Sequence, residues 1–235
     1  MKIMMILPIP FPLEEIKSRE DYAKSICSPQ TTLRLVSSEI PPPVPNDLSL
    51  LSFAVPGILQ WVKEAEQEKY DAVVIDCVAD SGVEVAKSIA NIPVIGPCES
   101  SLHVACLLAD RFGWIAPADG GIPFHWRQAK TYGLVDRITS IRAVNIPFEE
   151  YRDRKEELKE KLVKLGREMM NEGAQLIFVG CTAIFPAIGI SSHREVSERL
   201  NVTTIDPIGV ALNMAEILVK LKLSQSKLAF PRSFF

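Results

Sequence analysis

Short runs of consecutive apolar residues recur along the chain, each bounded by glycine, proline or charge. Longer segments with apolar positions every three or four residues lie between them. This alternation predicts buried strands separated by amphipathic helices, the pattern of a parallel α/β sheet covered on both faces. Lys2–Leu7 is the first such strand, followed by a helix over Leu13–Ile26 and a strand over Thr31–Val36. Pro41, Pro42, Pro43 and Pro45 make Ser37–Asp47 a loop or extended segment, with Ser37–Pro45 as the expected edge of a lid. Pro56 opens a helix over Gly57–Lys69. A strand over Tyr70–Cys77, a helix over Gly82–Ala90, a strand over Pro93–Gly96 and a helix over Ser100–Ala109 complete the first half.

The order then repeats. Arg111–Ala116 reads as a strand, Ile122–Tyr132 as a helix with Gly133 as its C-terminal cap, and Asp136–Val144 as a strand. Phe148–Asn171 is the longest predicted helix, its glutamates and lysines marking a solvated face. Ala174–Val179 is the most apolar strand, running through Gly180 into Cys181 as Tyr70–Asp76 runs into Cys77. Ser191–Leu200, Val202–Pro207 and Gly209–Leu223 follow as helix, strand and helix, as their counterparts do after Cys77. The chain reads as an internal duplication. The expected fold is α/β with two pseudo-symmetric domains, each a four-stranded parallel sheet flanked by helices, residues 1–98 with 206–235 forming one and 99–205 the other. The active site is expected in the cleft between them, because ligands bind beyond the carboxyl ends of parallel strands. The last helix is expected to pack back on the first domain, and the aromatic tail Ala229–Phe235 to hang loose or dock on another subunit.

Composition narrows the class. A net charge of −3 over 235 residues, with no basic stripe, excludes the electrostatic footprint of a nucleic-acid-binding protein. The apolar start is broken by Pro8, Pro10 and Pro12, unlike a secretory signal. The run around Cys181 is too short and too rich in glycine and proline to cross a bilayer as a helix, so no membrane partner is expected. Five cysteines, an odd number, do not make a disulfide framework, which points to a reducing cytoplasm.

Two matched cysteines at strand ends admit several chemistries. A redox pair would favour a C-x-x-C spacing, which is absent, and a zinc site would need more ligands at tight spacing, so no metal is expected. A nucleophile would need a histidine base. His103 falls in an apolar helical run and His193 opens a helix, whereas His125 follows Gly120-Gly121-Ile122-Pro123-Phe124 at a strand-end position and is the candidate to line the cleft. A pair of proton-transfer groups uses both sulfurs alike: racemising a carbon acid takes a base on one face and an acid on the other, and a thiolate facing a thiol supplies both. Backbone N–H groups of the following loops, at or near helix N-termini, would favour the thiolate and hold a substrate oxygen as charge develops. No nucleotide-binding fingerprint is present, and this chemistry requires no cofactor. Cys27, Cys98 and Cys106 read as core residues.

Several segments, in order, carry a family resemblance: Cys77-Val78-Ala79-Asp80-Ser81-Gly82, Gly96-Pro97-Cys98-Glu99-Ser100-Ser101-Leu102-His103, Asp110-Arg111-Phe112-Gly113, Tyr132-Gly133-Leu134, Ser140-Ile141-Arg142-Ala143-Val144 and Gly180-Cys181-Thr182. The series resembles the aspartate/glutamate/hydantoin racemase superfamily, and most closely its hydantoin and allantoin racemase branch, over Tyr70–Lys220 and more weakly at the start. The resemblance implies a cofactor-independent racemase with Cys77 and Cys181 as acid/base residues, commonly a homo-oligomer. It implies substrate contacts from Val78, Ala79 and Asp80, from Thr182 and Ala183, and from the turn at Pro8 and Ile9. That turn departs from the family pattern, which carries an asparagine there, and Ala116-Pro117-Ala118 lacks the expected threonine. Fewer polar anchors suit an uncharged ring such as a 5-substituted hydantoin better than a free amino acid. An aspartate or glutamate racemase, a single-cysteine isomerase or decarboxylase, and a binding module with a relict cleft stand as alternatives.

Overall fold

The computed structural model describes residues 1–40 and 49–232. In chain order the elements are β1 (Lys2–Leu7), α1 (Leu13–Ile26), β2 (Thr32–Ser37), α2 (Ser49–Gln67), β3 (Ala72–Ile75), α3 (Val83–Ile89), β4 (Val94–Ile95) and α4 (Pro97–Leu108). They continue as β5 (Phe112–Ala116), α5 (Ile122–Thr131), β6 (Ile138–Ala143), α6 (Lys155–Asn171), β7 (Ile177–Val179), α7 (Ile184–Ile188), α8 (Ser192–Leu200), β8 (Thr204–Ile205) and α9 (Pro207–Lys220).

Two four-stranded sheets result, in the orders β2-β1-β3-β4 and β6-β5-β7-β8, and every strand pair is parallel. Adding four to each strand number of the first converts it into the second. The central strands β1, β3, β5 and β7 are apolar runs because helices cover both faces, whereas the edge strands β2 and β6 admit Arg34 and Arg142. Contacts divide the chain into two units, Met1–Pro97 with Ala211–Phe235, and Cys98–Val210. The first is therefore discontinuous in sequence. Its core gathers Met4 and Ile6 from β1, Val73 and Ile75 from β3, and Ile58 and Val62 from α2.

Helix α2 departs from the expected bounds. It begins at Ser49 and carries Pro56 in its interior rather than at its start. An interior proline costs about 3 kcal/mol. Ala54, Ile58, Val62 and Ala65 nevertheless recur on one face across the proline and are all buried. Burying side chains the size of Ile58 and Val62 returns about 1.5–3 kcal/mol each, which outweighs the local penalty. The expected long helix over Phe148–Asn171 also divides, into a 3₁₀ turn at Phe148–Glu150 and α6 from Lys155. Between them Tyr151 turns into the core, and Arg154 ties Glu150 to Glu157. Helix α7 stands where a loop was expected, its Ile184, Phe185 and Ile188 all buried. Gly133 follows α5 with φ +72°, the left-handed conformation expected of its cap role.

The end of the chain is built into the first unit. The Glu216 carboxylate on α9 accepts from the Ser28 N–H and Oγ at 2.9 Å and from Thr31 Oγ1 at 2.5 Å. Beyond α9, residues 224–232 form a strap over the C-terminal end of α3. Ser224 Oγ donates to the Asn91 carbonyl at 2.7 Å, and Gln225 Nε2 to those of Ala90 and Ile92 at 2.9 Å. Lys227 Nζ donates to the Lys87 carbonyl at 2.8 Å and also to that of Ala90. These donors satisfy carbonyls that the end of a helix leaves without intrahelical partners. Of the expected lid edge Ser37–Pro45, the part from residue 41 lies outside the described residues, as do the last three residues of the tail. Among the described residues, no helix is long and apolar enough to cross a membrane.

Candidate active site

In each sheet the chain leaves the two central strands in opposite directions. From β1 it crosses to β2 on one side and from β3 to β4 on the other, and β5 and β7 repeat the arrangement. The crevice beyond the carboxyl ends of those strands is the topological switch point, where α/β sheets bind ligands. Cys77 follows β3 at one such point, and Cys181 follows β7 at the other. Both thiols are partly exposed.

The backbone around the two cysteines is the same motif twice. The Asp76 N–H donates to the Ile6 carbonyl of β1 at 2.8 Å, and the Gly180 N–H to the Ile115 carbonyl of β5 at 2.7 Å. The next N–H turns back in each case: Cys77 to the Ile75 carbonyl at 2.8 Å, and Cys181 to that of Val179 at 2.9 Å. Such three-residue turns are common at strand ends. They swing each thiol off the sheet edge. A second turn follows, from the Asp80 N–H to the Cys77 carbonyl at 2.9 Å and from the Ile184 N–H to the Cys181 carbonyl at 3.4 Å.

The residues around each thiol differ between the halves. Behind Cys181, Gly180 lies under the Trp114 indole, so close that a β-carbon at position 180 would sit 1.9 Å from Trp114 Nε1. Trp114 is fully buried, its ring centroid 5.0 Å from that of Phe178 in an edge-to-face contact and 4.8 Å from that of His125 in a tilted one. Behind Cys77 stands Asp76, buried and paired with Arg19 Nη1 at 3.1 Å. Asp80 adopts φ +50°, a left-handed conformation that aspartate tolerates better than most residues. Its carboxylate packs on Gly96, where a β-carbon would meet Asp80 Oδ1 at 2.6 Å. The contact ties the Cys77 loop to the end of β4.

The expected substrate contacts fall in two groups. Pro8 and Ile9 leave β1 at the edge from which Cys77, Val78, Ala79 and Asp80 leave β3, since Ile6 pairs with Ile75. The turn after β1 is held by Ser37 Oγ, which donates to the Ile9 carbonyl at 2.8 Å. Thr182 and Ala183 follow Cys181 and are buried. His125 is not on a strand-end loop. It lies in α5, 5% exposed, with Nδ1 at 2.9 Å from Gln128 Oε1 and its ring on Trp114. This is the helix expected over Ile122–Tyr132. Helix α3 begins only at Val83 and α7 is five residues long, which leaves the loop N–H groups, of the two kinds of donor expected, as the better placed in sequence.

Sequence reasoning missed three side chains. Arg19 was an ordinary helix charge and Trp114 an ordinary core aromatic. Asn145 at the end of β6 donates through Nδ2 to Asp119 Oδ2 at 2.9 Å and accepts from the Asp119 N–H at 3.0 Å, bracing the turn after β5 that lacks the threonine. The glycine before Cys181, in an otherwise bulky strand, was the one legible sign of an overlying side chain.

Burial holds His125 below the usual histidine range, with the Gln128 hydrogen bond opposing it. The unfolded chain protonates a histidine near pH 6.5, whereas folded His125 stays neutral to lower pH. The unfolded state therefore binds the extra proton, and stability falls as the pH drops below about 6.5. His125→Gln is expected to lose less melting temperature between pH 7.5 and 5.5 than the parent does. Equal losses in thermal melts would contradict this reading.

Comparison with known proteins places this arrangement. The chain is 24% identical to an allantoin racemase from Klebsiella pneumoniae of known structure and superposes on it with a TM-score of 0.86, covering 99% of this chain and 94% of that one. It is 30% identical over 188 residues to a hydantoin racemase from Rhizobium meliloti, covering 77% of this chain and 75% of that protein. A hydantoin racemase from Pseudomonas sp. (strain NS671) is 29% identical over 230 residues, covering 97% and 90%. The fold and these relatives define an isomerase of the racemase class. A sequence model described as Asp/Glu/Hydantoin racemase matches residues 15–215, and the chain belongs to that family.

Proposed function

We propose that the protein racemises 5-substituted hydantoins by a two-base mechanism in which Cys77 and Cys181 exchange the roles of base and acid, without a cofactor. The observation that carries the reading is the repeated turn that sets a partly exposed thiol at the switch point of each sheet. The relatives that act on hydantoins support the substrate class.

The carbon between the ring nitrogen and the ring carbonyl of a hydantoin loses its proton to an enolate whose charge rests on that carbonyl oxygen. One cysteine, as thiolate, takes the proton from one face. The other, as thiol, returns a proton to the opposite face. The first is then a thiol and the second a thiolate, the state that accepts the opposite enantiomer. Backbone N–H groups of the loops at Val78 and Ala79 and at Thr182 and Ala183 would stabilise the enolate oxygen, with Asp80 shaping the first of those loops. The carbonyl takes up the charge, so the chemistry calls for no metal or organic electron sink. The apolar turn at Pro8 and Ile9 would lie against the ring or its substituent, where a charged amino acid would need polar partners. We infer further that the active form is a homo-oligomer working in the cytoplasm.

The test is incubation in D₂O with L-5-benzylhydantoin, L-aspartate and L-glutamate in parallel, following optical rotation and deuterium uptake. Loss of rotation with deuterium at the ring carbon for the hydantoin alone is the expected result. Racemisation of the amino acids alone, or stabilisation by the hydantoin with no turnover, would overturn it.

A further inference from the structure

Asp76, directly before Cys77, has no counterpart in the second half, where Gly180 occupies the matching position. Its carboxylate is fully buried and lies 3.1 Å from Arg19 Nη1, whose side chain is 3% exposed. Arg19 lies mid-way along α1. Its Nε donates to Glu15 Oε1 at 2.9 Å, and its guanidinium lies over the Phe11 ring at 4.8 Å. Phe11 belongs to the turn that follows β1. A buried ion pair contributes little net stability, since desolvation of both charges offsets their attraction. This one connects the turn after β1 to the residue that carries Cys77.

We propose that Arg19 is a positioning residue, acting on Cys77 through Asp76 and on the turn after β1 through Phe11. The proposal rests on the reading of Cys77 as an acid/base residue. Through this pair, charge stands behind one thiol and not the other. Charged groups on the elements nearest the Cys77 loop include Glu14, Glu15, Lys17, Arg19, Glu20, Asp21 and Lys24 on α1, Asp76 and Asp80 in the loop, Glu84 and Lys87 on α3, and Glu99 in the first turn of α4. The core-facing sides of β1, β3 and α2 are apolar. Behind Cys181, Gly180, Trp114 and Phe178 carry no charge. In the intact pair the Asp76 and Arg19 charges oppose one another. Removing Arg19 leaves Asp76 without this partner, and removing Asp76 takes away a negative charge while Arg19 keeps Glu15; a change of charge close to a titrating group shifts it by about one pH unit or more.

The test is the rate of iodoacetamide alkylation of each cysteine in the whole folded protein between pH 6 and 10, resolved by peptide mass spectrometry. Arg19→Met is expected to move the Cys77 profile up by about one pH unit and Asp76→Asn to move it down by a similar amount. Arg19→Lys and the neutral double variant Arg19→Met/Asp76→Asn are expected to leave it near the parent's. The Cys181 profile is expected to stay fixed throughout. Cys27 supplies an internal reference: burial, then the Glu216 charge, push its thiol up to about 11. Should Arg19→Met fail to fold, Asp76→Asn and the double variant carry the test. A Cys77 profile unmoved in Asp76→Asn, or profiles of Cys77 and Cys181 that move together, would overturn the proposal. The assay needs no turnover, so a protein that leaves hydantoins untouched can still pass it. Conversely, racemisation that needs both cysteines without any profile shift would remove Arg19 from the mechanism and leave the proposed function standing.

Discussion

Cys77→Ser and Cys181→Ser are each expected to abolish racemisation. A serine hydroxyl is a far weaker acid than a thiol and supplies no base at neutral pH. Positioned acid/base groups contribute about 10²–10⁴-fold each, so kcat is expected to fall at least that far in either variant. The two losses are expected to be equal in racemisation and unequal in exchange. Each variant keeps one thiol, and so retains at most slow deuterium uptake from one enantiomer. Measuring both enantiomers separately by NMR in D₂O reads this directly. If one variant is silent and the other dead, the enzyme works with a single sulfur, and the two-base reading fails.

The second large effect is expected from Gly180→Ala, a change of one methyl group. That methyl would sit 1.9 Å from Trp114 Nε1 and 2.6 Å from its Cδ1. The indole is held at 0% exposure in contact with Phe178 and His125, so it can yield only by moving them. Overpacking of this kind costs about 1–3 kcal/mol, a loss of about 2–4 °C in Tm per kcal/mol for a chain of this size. Catalysis should suffer more. If the strand end yields instead of the ring, Cys181 moves with it, and a displacement of about 1 Å reduces turnover about 100-fold. The loss should fall on kcat rather than KM, and Gly180→Ala/Trp114→Phe should recover part of it. Unchanged Tm and kcat in the single variant would show that the indole does not constrain this strand end.

The repeated sheet was legible because its signals are local. Apolar runs bounded by glycine and charge set β1 and α1 at the bounds observed, and a parallel sheet follows from alternating strands and helices. Pro56 misled because a proline rule describes one residue, whereas α2 is fixed by a buried stripe that runs through it. His125 falls in a helix expected at nearly its observed bounds, but its packing on Trp114 was not legible, because the two rings meet only in the fold. The cysteines stood out by their position after apolar strands. What surrounds them did not, because Arg19 meets Asp76, and Trp114 meets Gly180, only after distant segments have packed together. Those pairings are products of the fold and leave no pattern along the chain.

One further property follows from the strap and from Glu216. Residues 98–210 are continuous, whereas the unit that holds Cys77 needs both the beginning and the end of the chain. Removing Glu216 and the residues after it would therefore take from the Ser28–Thr31 loop its buried acceptor, and from the end of α3 the donors that cover its carbonyls.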